Sequence, residues 1–196
     1  LMWQPEHWQD AQAVSQATVV AGCGGGEAIA AALPLLLSRA PRLVLDADAL
    51  NAVAADPALQ TQLQQRAARG WATVITPHPL EAARLLGSAD AASVQANRLQ
   101  AAASLVARYQ CTVALKGSGT VIASPNELPC INPSGNGRLA TAGTGDILAG
   151  WMAGRWSVQS QAQAHAVACC AVWEHGLAAQ AHQTDQTDSA MAHAPM

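Results

Sequence analysis

Phenylalanine is absent from this chain of 196 residues, and tyrosine occurs once, as Tyr109. Aromatic residues make up only 4% of the sequence, although hydrophobic residues make up 51%. The core must therefore be built mainly from Ala, Leu and Val, with six Trp as its largest side chains. Length and hydrophobic content together predict one domain, or most of one, with its own core.

Charged residues are also scarce, at 12% of the chain, with a formal net charge of −3 and no cluster of Lys and Arg. Nucleic acids and anionic membrane surfaces are bound through such clusters, so we expect neither as a partner. The longest apolar run, residues 28–37, is interrupted by Pro34. It is shorter than the roughly 20 residues of a membrane span, and no secretory signal pattern is visible. The sequence predicts a soluble, cytoplasmic protein.

The cysteines form no C-x-x-C pair, and their odd number does not suit a disulfide scaffold. They are Cys23, Cys111, Cys130, Cys169 and Cys170. His165 and Cys169 are four residues apart in a predicted helix, as are Cys170 and Glu174. Because these two pairs point to different faces of that helix, we expect reduced thiols and no metal site.

Runs rich in β-branched residues alternate with helical segments along the chain. The runs lie at 17–21, 43–45, 72–76 and 111–115. Such alternation predicts an α/β fold in which helices cover both faces of a mostly parallel central sheet.

The longest uninterrupted helical stretch is predicted at 91–110, and further helices are predicted after Asp146 to about residue 153 and at 159–181. We expect one domain over residues 1–182, followed by a disordered, polar, alanine-rich tail at 183–196.

Two polar segments follow the first two predicted strands. Residues 22–26 form a glycine-rich turn, and Asp46, Asp48 and Asn51 follow the second strand. In open α/β sheets ligands bind at the carboxyl ends of the strands. For Asp48, however, capping of the following helix explains the residue at least as well.

The third and fourth strands are also followed by polar groups. His78 is held between two prolines, and a histidine there is either a ligand contact or an ordinary surface residue. The tip of a predicted hairpin carries Lys116 beside backbone amides that could bind the same anion. This tip consists of Lys116, Gly117, Ser118, Gly119 and Thr120.

A glycine-rich loop at 132–145 continues directly into an apolar helix. The backbone amides of Gly143, Thr144 and Gly145 would form an anion site at the start of this helix. Asp146 stands at that site, where a carboxylate could deprotonate a hydroxyl that is about to receive a phosphoryl group. The simpler alternative is a favourable negative charge in the first helical turn.

Four linked motifs resemble those of the ADP/ATP-dependent NAD(P)H-hydrate dehydratases, a ribokinase-like family often fused to an epimerase. The motifs lie at 46–51, 76–79 and 115–120, and at 132–136 together with 143–146. The resemblance covers about residues 22–176 and implies a ribokinase-like three-layer sandwich. Family members begin with additional strands and helices, so the resemblance implies an N-terminally incomplete domain. An upstream epimerase domain and a homo-oligomer are left open.

The resemblance also implies roles for individual residues. Gly24, His78 and Asp146 would contact the hydrated nicotinamide nucleotide, and the Lys116–Thr120 loop and Gly145 would surround the AMP part of the donor. The family's Gly-Pro-Gly turn is Gly-Cys-Gly in this chain. Further candidates are Asp46, Asn51, Asn132 and Asn136.

The implied activity is that of a hydro-lyase in metabolite repair. It would use ADP or ATP, with Mg²⁺, to dehydrate the S epimer of NADHX or NADPHX back to NAD(P)H, releasing phosphate and AMP or ADP. Two alternatives are a ribokinase-like kinase of a small molecule such as a vitamin precursor, and a non-catalytic nucleotide-binding fragment.

Overall fold

The central sheet of the computed structural model, which describes residues 7–88 and 90–191, is mostly parallel, as predicted. Its strands follow one another in chain order, so each strand is hydrogen-bonded to the next. The first four are parallel, and the last two are antiparallel to their neighbours. They are β1 (Thr18–Ala21), β2 (Arg42–Leu45), β3 (Ala72–Ile75), β4 (Thr112–Leu115), β5 (Val121–Ala123) and β6 (Cys130–Ile131).

Helices cover both faces of this sheet. They are α1 (Ala11–Gln16), α2 (Ile29–Arg39), α3 (Ala47–Ala55), α4 (Pro57–Ala68), α5 (Pro79–Leu86), α6 (Ala91–Ala96), α7 (Arg98–Tyr109), α8 (Thr144–Val158) and α9 (Ala164–Met191). Short 3-10 helices lie at His7–Gln9, Gly26–Ala28 and Gly137–Ala140. No helix within the described ranges is both long enough and apolar enough to span a membrane.

The alternation of side chains along β2 divides the interior into two cores. Leu43 and Leu45 face the larger core, which they share with α2, α3, α4, α5 and α7. Val44 faces the opposite core, where it packs with Met152 of α8 and Ala168 of α9. Two cores on either side of one sheet give the predicted three layers.

The prediction of one long helix at 91–110 is wrong in one respect, because the structure divides this segment into α6 and α7. Asn97 leaves the helical conformation, with φ −147° and ψ 77°. Its side-chain oxygen accepts a hydrogen bond from the Gln100 amide at 3.1 Å, so it caps α7. The longest helix is α9 instead, which reaches Met191 and overlaps the predicted tail. Residues 192–196 of that tail lie outside the described residues.

Arg66 is the largest charged side chain in the interior and is only 1% exposed. Its guanidinium pairs with no carboxylate of the described residues and instead donates to Thr73 Oγ1 at 2.6 Å and to the Leu37 and Ala40 carbonyls at 2.8 Å. Burial lowers the pKa of Arg66 to about 10, so the group stays charged at neutral pH. It joins the end of α2 to the start of β3, and sequence patterns gave no sign of it.

Replacing Arg66 with Met should lower the free energy of unfolding by about 3 kcal/mol, because the buried acceptors lose their donor. Arg69→Met is the matched control, since Arg69 is exposed at the end of the same helix. It should cost less than about 1 kcal/mol. Urea unfolding followed by circular dichroism measures both, and equal stabilities of the two variants would contradict the assignment.

Candidate functional site

Four loops meet at the edge of the sheet where the parallel strands end. They follow β1, β2 and β4 and precede α8, as the sequence predicts for a ligand site in an open α/β sheet. The helix N-terminus at this edge adds partial positive charge.

The backbone of the loop after β1 packs directly against the backbone of the loop after β2. Gly22 has a φ of +115°, and a Cβ at this position would lie 1.8 Å from the Asp46 carbonyl oxygen. Only glycine fits there. Ala47, next to Asp46, has a positive φ of 42°, which is uncommon for a residue with a side chain. Strained backbone of this kind often occurs at functional sites.

Asp48 and Asn51 each join two segments of the chain near this edge. Asp48 Oδ2 accepts a hydrogen bond from the Gly26 amide at 2.8 Å, so it fastens the glycine turn instead of capping its own helix. Asn51 Oδ1 accepts from Arg84 Nη1 at 2.7 Å and connects α3 to α5.

Asp46 and Lys116 form an ion pair in the centre of the site. Lys116 Nζ lies 2.5 Å from Asp46 Oδ1, and the two side chains are 20% and 1% exposed. The second oxygen, Asp46 Oδ2, is buried and has no hydrogen-bond partner in the described part of the chain. A Cβ on Gly145 would lie 3.1 Å from Lys116 Nζ and 3.6 Å from Asp46 Oδ2. Gly145 therefore lets the start of α8 approach the ion pair.

Asp146 stands at the exposed side of the same cluster. Ligand atoms of Cys23, Asp46 and Asp146 all lie within 4.8 Å of one another. Burial, then the negative charges of Asp46 and Asp146 and a hydrogen bond to Asp146, raise the pKa of Cys23 to about 12. The thiol is therefore protonated at neutral pH and is not poised as a nucleophile.

The turn that leads into α8 is held by Gly143 and Thr144. Gly143 has a φ of +86°, in the left-handed region. Thr144 Oγ1 contacts the carbonyl oxygens of Leu139 and Thr141 at 2.7 and 2.8 Å, and its amide donates to Thr141 at 3.4 Å. Thr144 thus supports the turn. The amides of Gly145 and Asp146 remain without intrahelical acceptors, as in the first turn of any helix.

The hairpin tip at Lys116 is supported by Arg98, a residue that the sequence analysis missed. Arg98 donates to the Ser118 carbonyl at 2.5 Å and to the Leu115 carbonyl at 2.8 Å. A Cβ on Gly117, which has a φ of +146°, would lie 2.9 Å from Arg98 Nη2. Thr120 Oγ1 donates to the Gly117 carbonyl at 3.3 Å. The predicted hairpin is confirmed. Its tip is held by hydrogen bonds from Arg98, the first residue of α7.

Gly24 and Gly119 also lie in this group of loops. Both have positive φ, at 64° and 67°. A Cβ on Gly24 would meet nothing within 4 Å, so the backbone of the glycine turn faces open space here.

His78 caps α5 through its own ring. Nδ1 accepts from the amides of Leu80 and Glu81 at 3.1 and 3.3 Å, and Nε2 lies 3.3 Å from Glu81 Oε1. The Glu81 carboxylate accepts from the His78 amide at 2.7 Å, which completes a capping box. The His78 side chain is nevertheless 46% exposed, so part of the ring faces solvent at this edge.

Asn132 and Asn136 attach the glycine-rich loop to α9. Asn132 is 8% exposed, and its amide nitrogen donates to the Ser134 carbonyl at 3.1 Å. Ser134 Oγ contacts the Trp173 carbonyl oxygen at 2.9 Å. A Cβ on Gly176 would lie 2.1 Å from Ser134 Oγ. Asn136 donates to the Ala179 carbonyl at 3.0 Å. These contacts set the position of the loop that carries Asp146.

Comparison with known proteins gives a consistent assignment. The family model described as NAD(P)H-hydrate dehydratase matches residues 3–194. An ADP-dependent (S)-NAD(P)H-hydrate dehydratase of Neisseria meningitidis is 42% identical over 164 residues, which are 82% of this chain and 53% of that protein. A bifunctional NAD(P)H-hydrate repair enzyme of Moorella thermoacetica is 48% identical over 111 residues, or 57% of this chain and 20% of that enzyme. The matched part of this chain thus spans about half the length of the first relative and a fifth of the length of the second.

Solved structures agree. An ADP/ATP-dependent NAD(P)H-hydrate dehydratase from Bacillus subtilis, co-crystallised with ATP and Mg²⁺ and soaked with CoA, has a TM-score of 0.69 at 28% identity. The match covers 99% of this chain and 67% of that one. A ribokinase-like superfamily protein from Enterococcus faecalis has a TM-score of 0.64 at 25% identity. That match covers 85% of this chain and 56% of the other. The predicted ribokinase-like fold is confirmed, and the chain belongs to the NAD(P)H-hydrate dehydratase family.

Proposed function

We propose that this chain dehydrates the S epimer of NADHX and NADPHX with ADP or ATP as phosphoryl donor. The products are NADH or NADPH, phosphate, and AMP or ADP. The observation that carries the proposal is the exposed carboxylate of Asp146 at the N-terminus of α8, beside the neutralised pair of Asp46 and Lys116. We assign the reaction to the cytoplasm, where thiols such as Cys23 stay reduced.

The chemistry follows from the charges in the site. Asp46 is neutralised by Lys116, whereas Asp146 is exposed and remains able to take a proton. The substrate carries a hydroxyl on the carbon next to the ring nitrogen, and hydroxide is a poor leaving group. Asp146 takes the hydroxyl proton while the terminal phosphoryl group is transferred from the donor to that oxygen. The amides at the start of α8 stabilise the negative charge that develops on the phosphoryl oxygens.

Elimination then completes the dehydration. The lone pair of the ring nitrogen expels phosphate, and loss of a proton from the neighbouring ring carbon restores the double bond of NAD(P)H. The net change is the loss of water from the substrate, coupled to the hydrolysis of one phosphate group from the donor. We assign Gly24 and the exposed part of His78 to the nicotinamide nucleotide. The Lys116–Thr120 loop and Gly145 are assigned to the donor.

Mg²⁺ fits this site together with the donor phosphates, whose charge it neutralises when bound. Mg²⁺ prefers oxygen ligands and usually takes one or two carboxylates, with phosphates and water completing its shell. Asp46 Oδ2, which has no hydrogen-bond partner among the described residues, is the oxygen that would suit it, and Asp146 is kept for the proton. The Cys23 sulfur is a soft ligand that Mg²⁺ does not select.

Asp146→Asn should reduce NADPHX turnover by about 10³-fold, because general-base catalysis contributes roughly 10²- to 10⁴-fold. ADP binding should change by less than about threefold. Turnover is followed by NADPH fluorescence with ADP and with ATP, and binding by calorimetry. Glu27→Gln, at an exposed acid in the short 3-10 helix that follows the glycine turn, is the control and should keep full activity.

Product analysis by mass spectrometry separates this reaction from its alternatives. NADPH and free phosphate support the dehydratase, whereas a stable phosphoester would indicate a kinase. Donor binding without any turnover would indicate a non-catalytic fragment. Near wild-type turnover by the Asp146→Asn variant would remove Asp146 from the mechanism.

Lys116→Met should weaken donor binding by at least about 10-fold, since the side chain presents its charge beside the helix N-terminus. It should also lower the free energy of unfolding by about 3 kcal/mol, because Asp46 is then buried without a counter-charge. Calorimetry with ADP and urea unfolding measure the two effects.

The double variant Lys116→Met with Asp46→Asn distinguishes the two roles of the lysine. Removing both charges should restore most of the lost stability. If donor affinity recovers as well, Lys116 acts only by neutralising Asp46 and the assigned donor contact is wrong.

A further inference from the structure

A second cluster of reactive side chains lies at the far end of the β4–β5 hairpin from Lys116. His165 and Cys169 stand one turn apart near the start of α9, and Cys130 reaches them from β6. His165 Nε2 lies 3.7 Å from Cys130 Sγ and 3.6 Å from Cys169 Sγ. The three ligand atoms are within 4.8 Å of one another. The sequence pattern of α9 indicated only two of them, because Cys130 comes from a distant strand.

The imidazole of His165 is oriented by a chain of buried hydroxyl groups. Nδ1 lies 2.9 Å from Ser124 Oγ, and Ser124 Oγ lies 2.9 Å from Thr112 Oγ1. When Nδ1 donates its proton to Ser124, the lone pair of Nε2 points at the two sulfurs. A hydrogen bond on the remote nitrogen is how proteins orient a metal-binding histidine.

The two nitrogen–sulfur distances in this cluster suit a tetrahedral ion. With Zn–S bonds of about 2.3 Å and Zn–N bonds of about 2.0–2.1 Å, sulfur and nitrogen are separated by roughly 3.5 Å. The separations from Nε2 to Cys130 and Cys169 are 3.7 and 3.6 Å. Two thiolates and one imidazole select Zn²⁺ over the Mg²⁺ that accompanies a nucleotide.

We propose that Cys130, His165 and Cys169 bind one Zn²⁺ ion, with water in the fourth position. Cys130 is exposed, so the ion can enter from solvent. Bound there, Zn²⁺ would fasten β6 to the start of α9, just before Asn132 joins the same helix. This site is separate from the cluster around Asp146.

Binding must displace thiol protons. Burial, followed by the nearby thiols and the Glu127 carboxylate, raises the pKa of Cys169 to about 12. Metal coordination is coupled to loss of these protons, as at any thiolate site.

Cobalt titration of the reduced protein under anaerobic conditions tests the proposal. Tetrahedral Co²⁺ in a site with thiolates gives intense visible bands and a sulfur-to-cobalt charge-transfer band, which a merely structural cysteine would not produce. We expect one equivalent to bind to the wild type, and Zn²⁺ to displace it. Cys170→Ser is the matched control, because Cys170 is an exposed thiol next to Cys169 outside the cluster.

Cys130→Ser and Cys169→Ser should each weaken Co²⁺ binding by at least about 100-fold and lose part of the charge-transfer band. Ser124→Ala should weaken it by roughly 10- to 100-fold, the usual effect of losing the group that orients a ligand. Circular dichroism verifies folding, and exposed Cys130 is the substitution least able to disturb it.

Two results would overturn the proposal. One is an unchanged spectrum and affinity in the Cys130→Ser variant. The other is a reduced wild-type protein that takes up no metal, including a protein that only forms a disulfide between Cys130 and Cys169 when oxidised.

Discussion

The buried carboxylate of Asp46 determines how the site is arranged. A carboxylate that is 1% exposed is stable only beside an opposite charge, and Lys116 supplies that charge at 2.5 Å. The pair connects the end of β2 to the end of β4 across β3. The start of α8 can approach it only through Gly145, since a side chain there would come within 3.1 Å of Lys116 Nζ. One ion pair thus fixes three of the four loops.

The same pair makes two neighbouring carboxylates, Asp46 and Asp146, electrostatically different. Lys116 cancels the charge of Asp46, so the uncompensated negative charge of the cluster resides on Asp146, at the exposed side. Cys23 lies close to both acids, and burial together with their negative charges raises its pKa to about 12. The thiol is therefore protonated at neutral pH and adds no further negative charge beside Asp46 and Asp146.

The sequence predicted the features of this protein that depend on local patterns. Alternating strands and helices indicated the parallel sheet, and the glycine-rich segments marked the loops that meet at its edge. The break between α6 and α7 was missed because Asn97 reads as an ordinary helical residue until its capping bond to Gln100 is seen. Asn is a weaker helix former and a favoured N-cap residue, but one such residue within a long helical stretch does not locate a break.

Contacts between distant parts of the chain could not be predicted in this way. Arg98 supports the Lys116 loop from 17 residues away through a bond to Leu115, and Arg66 donates to Leu37 across 29 residues. Neither arginine lies in a recognisable motif. Asn132 was expected near the ligand because it belongs to a motif, but its amide is engaged with Ser134 beside α9. A motif can therefore include residues that position a loop as well as residues that contact a ligand.

The position of Asp146 consequently depends on a helix that follows it in the sequence. Ser134 approaches α9 so closely that a Cβ on Gly176 would lie 2.1 Å from its hydroxyl oxygen. Asn136 is bonded to Ala179 one turn further along. Since the loop continues from these contacts into the first turn of α8, any shift of α9 would move Asp146 relative to Asp46. The geometry of the proposed site therefore rests on close packing at α9 as much as on its charged groups.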